Sequence, residues 1–137
     1  MRGKTLDELE GVVWGEPTFD SSLVTICHRL RTKPVDQFTV EDLRIMIGQK
    51  ISLDYLMPLA IAELEQEPLA EGDYYPGDLL ANVIECGEWL RAHPDLLHQV
   101  VGVAKRAAAG LGTEDDELRQ RFNVFVASSP GRTKSCS

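Results

Sequence analysis

The segment FTVEDLRIMIGQK, residues 38–50, carries the marks of one short helix from start to stop. Thr39 is a good N-cap, because its hydroxyl can accept a hydrogen bond from one of the free amides of the first turn. Glu41 and Asp42 fall in that turn, where the helix dipole favours negative charge. Val40, Leu43, Met46 and Ile47 recur at helical spacing and face inward. Gly48 ends the helix. A half-buried strand would alternate apolar and polar residues, and this segment does not.

The same periodicity extends in both directions. Upstream, TLDELE places Glu8 three residues after Thr5, a capping-box pattern for a short helix. GVVWGEPTF reads as a loop broken by Gly11, Gly15 and Pro17, with Val12, Val13 and Trp14 folded back onto the core. In DSSLVTICHRLRTK, Asp20 or Ser21 caps a helix whose Leu23, Ile26, Cys27 and Leu30 share a face; Pro34 stops it. Downstream, SLDYLMPLAIAELEQE starts at Ser52 and buries Leu56, Leu59, Ala60 and Leu64. Pro58 predicts either a bend or a new helix start there. PGDLLANVIECGEWLRAH reads as one helix with Leu79, Leu80, Val83, Ile84, Gly87 and Leu90 on one face. Pro94 restarts the chain, turning Leu96, Leu97, Val100, Val101 and Ala104 inward, and Thr113 caps a last helix with Leu118, Phe122, Phe125 and Val126 on one side. The expectation is an all-α protein: a compact single-domain helical bundle of about six or seven helices with short loops. The domain spans 1–127, and 128–137 form a polar tail without periodicity.

Composition narrows the function classes. With 137 residues there is room for one domain with a sizeable core and not for two. No apolar run approaches the ~20 residues that span a bilayer. The first ten residues lack the apolar core of a signal peptide, so the expected location is the cytoplasm, with no membrane partner. Cys27, Cys86 and Cys136 are odd in number and widely spaced, which fits unpaired thiols in a reducing compartment. The net charge of −8 argues against a nucleic-acid partner. Its distribution is more telling. Between Ile51 and Leu90 stand Asp54, Glu63, Glu65, Glu67, Glu71, Asp73, Asp78, Glu85 and Glu88, with no Lys or Arg. That span nets −9, and since the whole chain is −8, the remainder nets +1.

Little points to catalysis. Cys27 and His28 are helix neighbours about 100° apart, so a thiol–imidazole dyad is poorly placed. Cys27 also lies on the apolar stripe, where a thiolate is disfavoured. His93 and His98 flank Pro94 at a spacing unsuited to a metal pair; His93 reads as a cap and His98 as exposed. There is no phosphate-binding loop. The residues suggest no enzyme, no cofactor, no metal and no small-molecule substrate.

Three stretches in this order carry a resemblance: CHRLR (Cys27–Arg31), FTVEDLRIMIGQ (Phe38–Gln49) and EGDYYPGDLL (Glu71–Leu80). Together they resemble the immunity proteins of bacterial contact-dependent growth inhibition systems, in order from about Leu6 to Leu80 and more weakly to about His98. The resemblance implies a cytoplasmic, non-enzymatic protein that binds the C-terminal toxin domain delivered by a neighbouring cell, one to one, and neutralises it. Such toxins are often nucleases, whose basic groove an acidic surface can occupy. On that reading Asp54, Tyr55, Glu71, Asp73, Tyr74, Tyr75 and Asp78 are the candidate toxin-binding residues, with the tyrosines as aromatic anchors. Pro76 and Gly77 set the turn into the next helix, and Asp78 lies at its start. Two other readings stay open: a helical adaptor or homo-oligomer subunit, and a small metal-binding enzyme using His93, Asp95 and His98.

Overall fold

The computed structural model describes residues 3–11 and 22–128. Among them are eight α-helices and no β-strand. In chain order they are α1 (Leu6–Glu10), α2 (Ser22–Leu30), α3 (Val40–Gly48), α4 (Leu53–Gln66), α5 (Asp78–Ile84), α6 (Gly87–Arg91), α7 (Pro94–Ala109) and α8 (Asp116–Ser128). Single 3-10 turns, Val35–Gln37 and Thr113–Asp115, precede α3 and α8. The all-α expectation therefore holds. The expected loop at Val12, Val13 and Trp14, the Asp20 or Ser21 cap and nearly all of the polar tail fall outside the described residues.

The helices form where the side chains dictate. Thr5 and Thr39 both close capping boxes, with Glu8 and Asp42 reaching back to the cap amides. One core joins α1 to α8: Leu6, Met46, Leu56, Leu64, Leu80, Val100 and Phe122 are all fully buried. Each such aliphatic or aromatic side chain contributes roughly 1.5–3 kcal/mol through burial. The α4 stripe is wider than the sequence pattern suggests, because Met57 and Ile61 are buried as well. Leu23, by contrast, is 41 % exposed.

At Pro58 one of two expected alternatives drops out, and at Glu85–Cys86 the chain departs from expectation. Pro58 neither restarts α4 nor divides it; the helix is assigned continuously through it. Pro58 is on the exposed side, where water can meet the carbonyl its ring leaves free. The single helix expected from Leu79 to Leu90 is instead broken at Glu85–Cys86 into α5 and α6. There the amides of Glu85 and Cys86 donate three residues back, to Asn82 and Val83. Cys86 is buried, with its thiol 3.7 Å from the carbonyl oxygens of Ile47 and Asn82. Burial pushes the Cys27 and Cys86 thiols up, consistent with core packing.

A buried arginine fastens the N-terminal helix. Arg31 is 1 % exposed; its Nε donates to Asp7 at 2.8 Å, and one terminal nitrogen reaches Glu10 at 2.6 Å and the Ser52 hydroxyl at 3.0 Å. A buried cation is tolerable only with such partners. Alongside it, α3 and α5 run in the same sense: Asn82 Nδ2 donates to the Arg44 carbonyl at 2.8 Å, and Cys86 lies against Ile47.

Candidate functional site

The link between α4 and α5 is folded around a single carboxylate. Glu71 and Pro76 pair across it as an isolated antiparallel bridge. Gly77 closes it at φ +92, donating its amide to the Leu69 carbonyl at 3.1 Å. Asp78, the first residue of α5, is only 2 % exposed. Its Oδ1 accepts from the Gly72 amide at 2.7 Å, and its Oδ2 accepts from the amides of Tyr74 at 3.0 Å and Tyr75 at 3.4 Å. The remaining amide, that of Asp73, donates to Glu41 Oε1 of α3 at 2.8 Å. Four successive amides thus point inward to two carboxylates, and the side chains are turned out.

Arg44 completes the arrangement. Its Nε donates to Glu41 Oε1 at 2.7 Å and a second nitrogen donates to Glu41 Oε2. Its Nε is 3.8 Å from Asp78, and its guanidinium lies over the Tyr74 ring, 4.1 Å from the centroid. The paired bonds from Arg44 hold the Glu41 carboxyl below the usual carboxylate range, with the Asp73 amide adding to the effect against the opposing cost of burial. Outside this frame stand Glu71, Asp73, Tyr74 at 70 % exposure and Tyr75 at 38 %. Tyr75 also forms one wall of a cleft whose other side is Glu114, Asp115, Glu117 and Leu118 from the start of α8 and the turn before it.

The seven sequence-predicted residues are not one cluster. Glu71, Asp73, Tyr74 and Tyr75 form the outer face of the loop. Asp78, at the start of α5, faces inward beneath that loop, and its oxygens accept from the loop's amides. Asp54 and Tyr55 lie beyond the other end of α3, roughly 13 Å along a nine-residue helix. Asp54 is exposed and accepts from Trp89 Nε1 at 2.8 Å. Tyr55 is half-buried, and its hydroxyl donates to the Leu9 carbonyl at 3.1 Å, which ties α4 to α1. His93 is the N-cap residue of α7, yet its side chain does not cap; the ring stacks on Trp89 at 3.8 Å and Nδ1 donates to the Trp89 carbonyl. His98 is exposed, as expected. Among the described residues, no group of three His, Cys, Asp or Glu side chains is placed to hold a metal ion.

Glu41 and Arg44 are the members that sequence reasoning missed. Glu41 reads locally as a first-turn carboxylate, and nothing in the local sequence singles out Arg44. Only the juxtaposition of α3 with a loop some thirty residues away reveals them. Their one signal was that FTVEDLR and EGDYYPGD stood out together.

A family model described as CDI immunity proteins, where CDI is contact-dependent growth inhibition, matches residues 8–100. No curated protein matches the chain. The match takes in α3, the loop, Asp78 and both members of the Glu41–Arg44 pair, and it covers more than half of the chain. The chain belongs to the CDI immunity proteins.

Proposed function

We propose that this chain binds the C-terminal toxin domain of a contact-dependent growth inhibition effector in the cytoplasm, one to one, and neutralises it without turnover. The toxin on this reading is a nuclease. Its substrate groove carries Lys and Arg to hold phosphates, and an acidic surface competes for that groove. The observation that carries the reading is the loop at residues 71–77: its amides are held from the protein side by Asp78 and Glu41, leaving two carboxylates and two tyrosines exposed. Nothing in the core requires an exposed tyrosine there, and tyrosine is among the residues enriched at binding hot spots. Asp54 adds acidity beyond the far end of α3. The test is to mix the purified toxin domain with this chain in a calorimeter and to express the chain in cells that also make the toxin. An equimolar nanomolar complex and surviving cells are expected. Absence of both would discard the reading.

A second reading has one observation in its favour. Val124 of α8 is 56 % exposed and lines a shallow cleft with Ile84 and Phe125, a face that self-association could cover. Sedimentation across a hundredfold range of concentration separates the two, since an immunity protein of this design remains a monomer until toxin is added.

A further inference from the structure

We propose that Tyr74 is the anchor of the toxin contact and that Arg44 is the residue that positions it; the inference rests on the immunity reading above. Tyr74 is 70 % exposed, so it contributes little to the core. It is nevertheless held at both ends. Its amide is bound by Asp78, and its ring rests against the Arg44 guanidinium, 4.1 Å away. Arg44 in turn is held by the two hydrogen bonds it donates to Glu41 and by its approach to Asp78. An exposed tyrosine ordinarily loses rotamer freedom when a partner captures it. A ring already stacked has less to lose. At 70 % exposure most of the ring remains accessible to a partner, and Glu71 and Asp73 stand in the same loop. That combination fits a basic side chain, an Arg or Lys of the toxin, laid on the accessible part of the ring beside a carboxylate. The charge of Arg44 does not repel it, because Glu41 and Asp78 outweigh that charge. Arg44 itself is 15 % exposed and acts through Tyr74 rather than by contact.

The experiment measures toxin-binding kinetics for wild type, Tyr74→Ala, Arg44→Lys and the double variant, with a thermal melt of each. Lysine keeps the charge but loses the two-point grip on Glu41 and the flat stacking surface. Tyr74→Ala is expected to weaken binding about 30-fold or more with the melt unchanged. Arg44→Lys is expected to weaken it about fivefold, chiefly through faster dissociation. In the Tyr74→Ala background, Arg44→Lys should change affinity by no more than about twofold, since its route is gone. Binding of Tyr74→Ala within about threefold of wild type would overturn the anchor, given the size expected of a hot spot. An equal cost of Arg44→Lys with and without Tyr74 would overturn the positioning role. Should Arg44→Lys fail to fold, Tyr74→Leu serves: it keeps apolar bulk without the cation-binding face, and wild-type affinity would sink the proposal. A wild-type chain that binds no toxin defeats the immunity reading itself, an outcome distinct from all of these.

Discussion

Asp78 accepts three amides through two oxygens while almost wholly removed from water. Asparagine there keeps the size but replaces one acceptor with a donor, which leaves at least one loop amide facing an N–H group. Asp78→Asn is expected to cost about 1–3 kcal/mol, the penalty of a buried unsatisfied donor, read as a lower urea midpoint. An unchanged midpoint would mean that the loop contributes nothing to folding. Glu41 makes a second prediction. Its carboxyl is held below the ordinary range in the folded chain, chiefly by the Arg44 hydrogen bonds. The stabilisation is therefore complete above the unfolded value of about 4.3 and is lost as pH falls through the folded value. Melts from about pH 5 to pH 3 should decline more steeply for wild type than for Glu41→Gln; parallel declines would count against the pairing. The sequence showed where Asp78 lies but not which way it faces. Direction depended on Arg44 and on amides whose positions only the folded loop defines.

Elements were legible where the signal is local. The caps at Thr5 and Thr39, the α3 core face and the Pro94 start of α7 all follow from neighbours within a turn or two. The break between α5 and α6 was not legible, because the apolar period runs straight through Glu85–Cys86–Gly87 and the competing contacts come from α3. Two glycines sharpen the distinction between local and tertiary control. Gly102 lies inside α7 with open space where a Cβ would be, so Gly102→Ala should stabilise by about 0.5–1 kcal/mol. Gly77 sits at φ +92, and a Cβ there would meet Leu69 at 3.2 Å and Leu118 at 3.3 Å. Gly77→Ala should destabilise by about 1–3 kcal/mol through left-handed strain alone. Thermal melts of the two variants should move in opposite directions, and a shared sign would contradict the loop geometry.

At the scale of the whole molecule, folding redistributes the charge that the sequence shows as a −9 span. Glu65 pairs with Arg106, Glu85 with Arg121, and Asp78 with Arg44, all three cations coming from outside that span. Among the described residues, Asp54, Glu63, Glu67, Glu71, Asp73 and Glu88 have no such partner. Glu63 and Glu67 lie in and just after the last turn of α4, and the other four divide between the two ends of α3: Glu71 and Asp73 in the loop by its first half, Asp54 and Glu88 beyond its last turn. The separation of roughly 13 Å exceeds the Debye length of about 8 Å at physiological salt. At that ionic strength each end steers on its own. If the loop meets the toxin, Asp73→Lys should slow association about tenfold, while Glu88→Lys should change it by less than about twofold. Raising salt should slow the wild type toward the rate of Asp73→Lys and leave that variant nearly unchanged, because the substitution brings the two negative charges of the loop to a net of about zero and so cancels the same attraction that screening removes. Stopped-flow association at two salt concentrations reads all of these rates. Equal slowing by the two substitutions would place the toxin across both ends of α3, and a wild-type rate indifferent to salt would remove charge from the mechanism altogether.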